Sequence, residues 1–246
     1  MDRMIFIAMS GAREIMTAQT INANNLANAS TTGFKADFQS SISKPVYGSV
    51  LPSRVYTSTE NAGVDFNPGS LITTGRELDV AINGQGWLAV QTPDGNEAYT
   101  RAGDLRIDNL GRLMTGAGHS VLGNGGPIAI PPHAKLEIGT DGTISIQPLG
   151  QPASTMAVID RLKLVDPPTE QLQKGSDGLL HMASGQSVEA NANISMVSGS
   201  LESSNVNTVS AMVRMIELAR QYETHIKLMS AAESNDEASA QIMRVS

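Results

Sequence analysis

The stretch VNTVSAMVRMIELARQYETHIKLM, residues 206–229, decides the fold, because its apolar side chains recur with the period of an amphipathic helix. Glu223 precedes Lys227 by four residues, which is the favourable order for an ion pair on a helix surface. Asn205 is the predicted N-cap, although no Glu or Gln follows three residues later to complete a capping box. We therefore predict a helix over residues 206–229 with an apolar stripe of Val209, Met212, Ile216, Ala219, Tyr222, Ile226 and Met229.

A second helix of the same length is predicted over residues 4–27, at the other end of the chain. Gly33 can adopt the left-handed conformation that ends helices, so Gly33 and Phe34 are the predicted stop. The apolar stripe of this helix consists of Ile5, Ala8, Met9, Ala12, Ile15 and Met16.

The two predicted helices are matched in length. Each would be about 36 Å long, and a helix in water depends mainly on the packing of its apolar face. We therefore expect the helices to pair with each other as a coiled-coil-like layer. The alternative is that both cover the middle of the chain as ordinary core helices.

Four side-chain amides follow one another at intervals of three residues near the end of the first predicted helix, around Leu26. They are Gln19, Asn22, Asn25 and Asn28. Amides on or beside a helix seam fix the register and number of partners at a cost in stability. The alternative is that these amides face water and loosen the helix end.

Between the helices the sequence has the short apolar stretches and tight turns of an antiparallel β domain, of the sandwich or barrel-like kind. Asn83-Gly84, Asp94-Gly95 and Asp141-Gly142 are predicted hairpin turns. The predicted strands cover residues 78–82, 87–92, 105–108, 112–115, 128–130, 135–138, 143–147, 162–165, 179–182 and 188–192.

The predicted fold class is α+β, in four parts. Residues 1–35 form the N-terminal helix and its stop, and residues 36–76, which are rich in Ser, Pro and Gly, form an extended connector. Residues 77–192 form the β-rich domain. Residues 193–246 form a return segment and the C-terminal helix.

The composition disfavours several classes of partner and site. The formal net charge is −7 and no basic run occurs, which disfavours nucleic acid and anionic membranes. Cysteine is absent, so disulfides and thiolate metal sites are excluded. No apolar run approaches the ~20 residues of a membrane span, and the first apolar run is too short for the core of a signal peptide. We expect a protein that is not inserted in a membrane, and that is cytoplasmic or exported without a cleaved signal.

No pattern of catalytic, cofactor-binding or metal-binding residues stands out. Gly84-Gln-Gly86 follows a predicted strand as in a dinucleotide-binding motif, but the sequence continues from Trp87 as strand, whereas that motif requires a helix. Trp87, the single tryptophan, is predicted to be a core or sheet-face anchor rather than a ligand platform. The four histidines lack metal-ligand spacing. We predict no enzyme activity, no cofactor, no metal and no small-molecule ligand.

Three blocks of the sequence resemble bacterial flagellar rod and hook proteins. Residues 24–35, Asn-Asn-Leu-Ala-Asn-Ala-Ser-Thr-Thr-Gly-Phe-Lys, resemble the N-terminal signature of that family. Residues 78–104 resemble its shared β region, and residues 201–223 resemble its C-terminal helix. The blocks occur in the family's order and span essentially the whole chain. The start of the chain, its modest length and residues 68–76 and 212–220 resemble most the proximal rod members, with distal rod or hook-type members as the nearest alternative.

The resemblance implies a structural subunit of the flagellar basal body. Members of this family are exported through the flagellum's own export apparatus and join copies of themselves and other rod proteins in a hollow axial tube. Their terminal helices form its inner layer. The implied assembly residues are therefore the two apolar stripes, the amides with Leu26, and the Gly33-Phe34 stop.

Two other functions stay open at this point. A secreted β-domain enzyme acting on cell-wall glycan would need convergent carboxylates in a groove. A β-rich binding module would need a ligand pocket and stably folded termini.

Overall fold

The structure is a computed structural model that describes residues 3–45, 55–152 and 155–245. Over these residues, two long helices lie at the ends of the chain with short strands between them. The chain divides into two compact units. The helical unit contains residues 1–29, 36–65 and 206–246, and the β-rich unit contains residues 30–35 and 66–205.

The helices and strands follow one another in this order: α1 (Arg3–Ala27), β1 (Asp37–Pro45), β2 (Val55–Val64), β3 (Leu71–Thr73), β4 (Val80–Asn83), β5 (Trp87–Gln91), β6 (Glu97–Thr100), β7 (Leu105–Ile107), β8 (Leu113–Thr115), β9 (Ser120–Gly123), β10 (Gly126–Pro127), β11 (His133–Ile138), β12 (Thr143–Pro148), β13 (Ala157–Arg161), β14 (Leu164–Val165), a 3₁₀ turn (Thr169–Gln171), β15 (Leu172–Lys174), β16 (Leu180–Met182), β17 (Ser195–Ser198), β18 (Ser200–Glu202) and α2 (Thr208–Val245).

Both terminal helices are present, and α2 differs from its prediction at both ends. It begins at Thr208, and Asn207 is its N-cap, because Oδ1 of Asn207 accepts the backbone N–H of Ser210 at 3.0 Å. The predicted cap Asn205 lies before the helix, where its N–H donates to the carbonyl of Phe34. The helix also continues well past residue 229. Its last turns lack a regular stripe of large apolar residues, although Ala and Glu there favour helix.

Most predicted strands are present, with ends shifted by one or two residues. The predictions at residues 128–130 and 188–192 were wrong, since neither range forms a strand. Ile128 and Ile130 are buried all the same, but the backbone between them makes only one isolated bridge, from Ala129 to Arg112. The following strands of the β-rich unit were not predicted: β3, β6, β9, β10, β13, β15, β17 and β18. Each has at most five residues, which leaves too little alternation to detect.

In the helical unit, α1 packs against α2 and against a two-stranded hairpin. The hairpin pairs β1 with β2 in antiparallel register, with a bulge between Gln39 and Ser40. These strands fall within the predicted connector. Residues 46–54 of that connector lie outside the described residues.

In the β-rich unit every strand pairing is antiparallel. The largest sheet has the order β15-β16-β6-β5-β9-β8-β7, with β14 also paired to β5 and β10 to β9. A three-stranded sheet, β11-β12-β13, and two pairs, β17-β4 and β18-β3, complete the unit. The middle of the chain is therefore largely antiparallel β structure, as the sequence predicted.

Strand β5 is buried on both of its faces. Leu88 and Val90 belong to one apolar cluster, and Trp87 and Ala89 belong to another, because successive side chains of a strand point to opposite faces. The ring of Phe66 packs edge to face on Trp87, with 5.8 Å between the ring centroids. Trp87 is therefore a core anchor, as predicted.

Candidate assembly surface

The helices α1 and α2 form an antiparallel pair. The amide nitrogen of Asn22, late in α1, donates to the carbonyl of Ala211, early in α2, at 2.8 Å. Gly11, earlier in α1, contacts His225, later in α2. Contacts at two levels of the pair, in reversed order along the two helices, define this orientation.

The covered face of α2 repeats every three or four residues. The less exposed residues along this face are Ala211, Met215, Leu218, Tyr222, His225, Met229, Ala232 and Asp236. Their separations alternate between four and three, which averages 3.5 residues and is the spacing of a coiled-coil seam. On α1 the most buried residues are small, namely Ala8 and Ala12. Small side chains allow the two backbones to approach closely.

The predicted apolar stripe of α2 is divided between a covered face and an exposed face. Ala219, Tyr222 and Met229 are partly buried. The other four predicted residues, Val209, Met212, Ile216 and Ile226, are exposed. Together with Val213, which was not predicted, they form an exposed face that we call the α2 outer stripe. Ile216 is 56% exposed and Val209 is 70% exposed, whereas Leu218, which the prediction omitted, is 2% exposed.

The predicted stripe of α1 is divided in the same way. Ala8 and Ala12 are buried, and Ile5 and Ile15 are partly buried. The exposed large apolar residues of α1 are Phe6, Ile7, Met9 and Met16. Both helices of the pair therefore retain uncovered apolar side chains, and contiguous exposed apolar surface commonly marks an interaction site.

Three of the predicted amides, Asn22, Asn25 and Asn28, form side-chain hydrogen bonds within the chain. Asn25 clamps the start of β1, since its Nδ2 donates to the carbonyl of Asp37 at 2.6 Å and its Oδ1 accepts the Asp37 N–H at 2.9 Å. Asn28 donates to the carbonyl of Asn24 at 3.0 Å. Gln19 and Leu26 are partly buried. Asn22 and Asn25 thus position α2 and β1 against α1.

The predicted stop, Gly33-Phe34, belongs to the β-rich unit. Gly33 has the predicted left-handed conformation, with φ of 66°, although α1 already ends at Ala27. The N–H of Gly33 donates to the carbonyl of Glu202 at 2.8 Å. The ammonium of Lys174 lies 3.9 Å from the centroid of the Phe34 ring, in a cation–π contact. This glycine therefore fits a close backbone approach within the β-rich unit.

Sequence reasoning missed a buried ionic cluster in the β-rich unit. The carboxylate of Glu202, which is 1% exposed, accepts hydrogen bonds from Lys35 Nζ at 2.6 Å and from Arg101 at 3.0 Å. Both cations also face Trp87, with Arg101 5.0 Å and Lys35 6.0 Å from the ring centroid. Lys35 and Glu202 do lie in two of the blocks that carry the family resemblance, but no spacing rule links residues so far apart in sequence.

Each unit contains a groove. A groove of about 490 Å³ in the helical unit is lined by Glu14, Asp37, Arg214 and other residues of α1, α2 and the start of β1. Its mixed polar lining differs from the mainly apolar lining of small-molecule sites. Neither α1 nor α2 has, over the residues described, an apolar stretch that could cross a bilayer. No three His, Cys, Asp or Glu side chains gather as a metal site in the described ranges.

The groove of the β-rich unit, about 380 Å³, contains the carboxylate of Glu97. Lys163 Nζ donates to one oxygen of this carboxylate at 2.7 Å, and the Tyr99 hydroxyl donates to the other at 3.0 Å. Burial, followed by the charge of Glu97, raises the pKa of Tyr99 well above its ordinary value. Tyr99 therefore stays a hydrogen-bond donor, and both oxygens of the Glu97 carboxylate accept hydrogen bonds from within the chain.

Three family models match successive parts of the chain. A model described as the D1 domain of the flagellar hook protein FlgE/F/G matches residues 81–146. A model of the flagellar basal body rod FlgEFG protein C-terminal region matches residues 197–242, and a model of the flagella basal body rod protein matches residues 5–35. The matched regions fall in the β-rich unit and in both terminal helices.

Similar proteins align along essentially the whole chain. The flagellar basal-body rod protein FlgF of Escherichia coli (strain K12) is 42% identical over 252 residues, covering 100% of both chains. The FlgF protein of Salmonella typhimurium is 39% identical, again with 100% of both chains covered. The flagellar basal-body rod protein FlgG of Bacillus subtilis (strain 168) is 30% identical, over 94% of this chain and 95% of that protein.

Proposed function

Since the chain belongs to the family of flagellar basal-body rod proteins, we propose that it is a structural subunit of the proximal part of that rod. The family is one of structural proteins rather than enzymes. In this role the chain joins copies of itself and other rod proteins through its terminal helices, and the rod in turn transmits rotation. The observation that carries the proposal is the uncovered α2 outer stripe on a helix that is already paired with α1.

The α2 outer stripe supports a subunit interface for an energetic reason. A buried aliphatic side chain gains about 1.5–3 kcal/mol relative to an exposed one, and the stripe has five such side chains. Burial of the stripe against neighbouring subunits would therefore offset a substantial part of the entropy that is lost when the subunits associate. We propose that the outer stripe packs against a different surface of the neighbouring subunit, because a heterologous contact of that kind builds an open helical assembly.

The pairing of α1 and α2 supports a coiled-coil-like layer in the assembled rod. The spacing of 3.5 residues on the covered face of α2 is that of a coiled-coil seam. The bond from Asn22 to Ala211 supports this pairing because it joins α1 to α2, whereas Asn25 bonds to the start of β1. We further propose that residues 36–76 act as the connector between helical and β-rich parts, and that residues 193–207 return the chain to α2.

The proposed location is the flagellar basal body, within the periplasm, with export through the flagellar export apparatus and without a cleaved signal. The full-length similarity to proteins named FlgF supports the proximal over the distal part of the rod. Under this proposal the chain needs no cofactor and no small-molecule ligand. Its interface residues are the α2 outer stripe together with the exposed apolar residues of α1.

The experiment that tests the function compares two matched substitutions in a strain that lacks its own copy of this gene. Ile216→Asp places a charge in the α2 outer stripe, and we expect loss of intact rods and of swimming. Ser210→Asp adds the same charge to an exposed position of α2, roughly 120° around the helix, where an acidic residue near the N-terminus is favourable. We expect this control to assemble normally. Intact rods and normal swimming with Ile216→Asp would contradict the proposal.

A second measurement separates assembly from folding. Purified Ile216→Asp protein should unfold at the temperature of the parent protein, because Ile216 is exposed in the free chain. A large fall in that temperature would mean that the substitution acts through folding, and the assembly result would then have to be repeated at Val209.

A further inference from the structure

The two segments of chain that adjoin the terminal helices meet each other inside the β-rich unit. Residues 30–35 follow α1, and residues 200–205 precede α2. The Gly33 N–H donates to the carbonyl of Glu202 at 2.8 Å, and the Asn205 N–H donates to the carbonyl of Phe34 at 3.3 Å. The exit of one helix and the entry of the other are thus held side by side by backbone hydrogen bonds.

The buried cluster joins these segments a second time, through charge. Lys35 lies in the first segment and Glu202 in the second, and their side chains are 3% and 1% exposed. Arg101 comes from the β-sheet region and binds the other oxygen of Glu202, so one carboxylate holds three separate parts of the chain. Glu202 Oε1 also accepts the N–H of Gly69 at 2.9 Å.

Each of the two cations also donates to a backbone carbonyl, although Nε of Arg101 is buried without a hydrogen-bond partner in the described structure. Arg101 donates to the carbonyl of Gly84 at 2.8 Å, and Lys35 donates to the carbonyl of Asn67 at 2.9 Å. A buried ion cluster of this kind contributes little stability over an apolar core when it is complete. It is strongly destabilising when one partner is removed, because a buried charge is left uncompensated. The arrangement therefore favours one closed geometry over partly opened ones.

We propose that Glu202, Lys35 and Arg101 form an ionic latch that closes residues 30–35 onto residues 200–205 independently of the terminal helices. The latch keeps the exit of α1 and the entry of α2 together while the helices themselves are free to exchange partners. Its relevance to rod assembly rests on the proposed function. The latch itself is a property of the free chain and is tested there, so the two proposals can fail separately.

Hydrogen exchange of the full-length chain tests the latch. In Glu202→Gln, two buried cations lose their counter-charge, and we expect the amides of Gly33, Gly69 and Asn205 to exchange about tenfold faster or more. The matched internal reference is the Ala89 amide, which donates to the carbonyl of Lys163 at 3.0 Å within the core. It should keep its protection. Unchanged exchange at Gly33 and Asn205, or an equal acceleration at Ala89, would overturn the proposal.

A second variant decides the question if Glu202→Gln does not fold. Lys35→Met removes one cation and leaves the Glu202–Arg101 pair balanced, so the unit is expected to fold. Exchange should accelerate about tenfold at Gly33 and stay unchanged at Gly69, whose acceptor Glu202 remains in place. Uniform acceleration, or none, would count against the latch.

The independence of the latch from the helices needs its own comparison. Leu218→Asp places a charge on the covered face of α2 and should raise exchange throughout α1 and α2. The amides of Gly33 and Asn205 should keep their protection in this variant. If they lost protection together with the helices, the cluster would not be an independent latch.

Discussion

Gly11 of α1 and His225 of α2 are in such close contact that a Cβ on Gly11 would lie 2.3 Å from Cε1 of the His225 ring. The contact lies within the helical unit, where Ala8 and Ala12 flank Gly11 on the covered face of α1. The distance between the two helices at this level is therefore set by a missing side chain on one helix and a ring on the other.

We expect Gly11→Ala to destabilise the helix pair by about 1–3 kcal/mol, because overpacking here outweighs the better helix propensity of alanine. Urea unfolding followed by circular dichroism of the helices measures the effect. The double variant Gly11→Ala with His225→Ala removes the obstructing ring, so most of the loss should be recovered. A double variant as unstable as the sum of the two single variants would show that the contact is not the cause.

Substitution of Gly33 should be far more costly than substitution of Gly75. Both have left-handed φ angles, 66° and 73°, so both variants to alanine carry a backbone penalty of about 1–2 kcal/mol. A Cβ on Gly33 would also lie 2.2 Å from the backbone carbonyl carbon of Arg101, whereas a Cβ on Gly75 meets no described atom within 4 Å. We expect Gly33→Ala to cost on the order of 3–5 kcal/mol in unfolding free energy.

The Gly75→Ala variant is the control for that prediction, since it isolates the backbone term. Thermal unfolding of both variants should be followed by the fluorescence of Trp87, which reports on the β-rich unit. Equal losses in the two variants would show that the approach to Arg101 is unimportant.

Removal of the Asn25 amide should loosen β1 from α1. Asn25→Ala deletes two hydrogen bonds to the backbone of Asp37, and we expect a loss of about 1–3 kcal/mol, since two backbone groups lose their partners. Asn24→Ala, at the neighbouring exposed position, is the control and should be neutral or slightly stabilising. Unfolding free energies measured by urea titration would distinguish the two, and a neutral Asn25→Ala would remove Asn25 as the clamp of this strand.

Asp104 should make the stability of the β-rich unit depend on pH in an unusual direction. Burial raises the pKa of Asp104 above its ordinary value of 3.8, and the charge of Asp79 adds to this. A raised pKa favours the neutral form in the folded state. The contribution of Asp104 to the stability of the folded state is therefore most favourable below pH 3.8. It is lost as the pH rises through the raised pKa of Asp104. Asp104→Asn should gain stability relative to the parent chain between acid and neutral pH.

Asp108 provides the opposite case within the same unit. The backbone N–H of Arg112 donates to the Asp108 carboxylate and is the main reason that its pKa lies below the ordinary value of 3.8. Asp108 therefore stabilises the folded state at pH values above 3.8. This stabilisation is lost as the pH falls through the lowered pKa of Asp108. Asp108→Asn should lose stability relative to the parent chain over the same rise in pH. Unfolding free energies measured across this pH range check both predictions. If the two variants changed in stability relative to the parent chain in the same direction, the raised pKa of Asp104 and the lowered pKa of Asp108 could not both be right.

Sequence patterns were sufficient where the physical cause is local. The period of the apolar side chains predicted both terminal helices, because the period depends only on the geometry of one helix. The turn residues and short apolar stretches predicted the largely antiparallel middle. The family resemblance rested on residues close together in sequence, and the similarity along the whole chain confirms it.

The same patterns could not decide which apolar residues are covered. α2 has apolar side chains on more than one face, and its period alone does not say which face meets α1. Leu218 is buried and Ile216 is exposed, although the two are only two residues apart. The choice depends on the position of α1, whose small residues Ala8, Gly11 and Ala12 admit the close approach.

The sequence by itself therefore determined the kinds of elements, their order and the family of the chain, since each depends on interactions between near neighbours. Only the tertiary structure decided the partners across long separations. Lys35 and Glu202 are 167 residues apart and meet at 2.6 Å, and Asn25 bonds to the start of β1 rather than only to its own helix. Such pairs depend on how the whole chain packs. A buried carboxylate must be compensated by nearby cations, and these cations can come from parts of the chain that are far apart in sequence, so no local spacing predicts them.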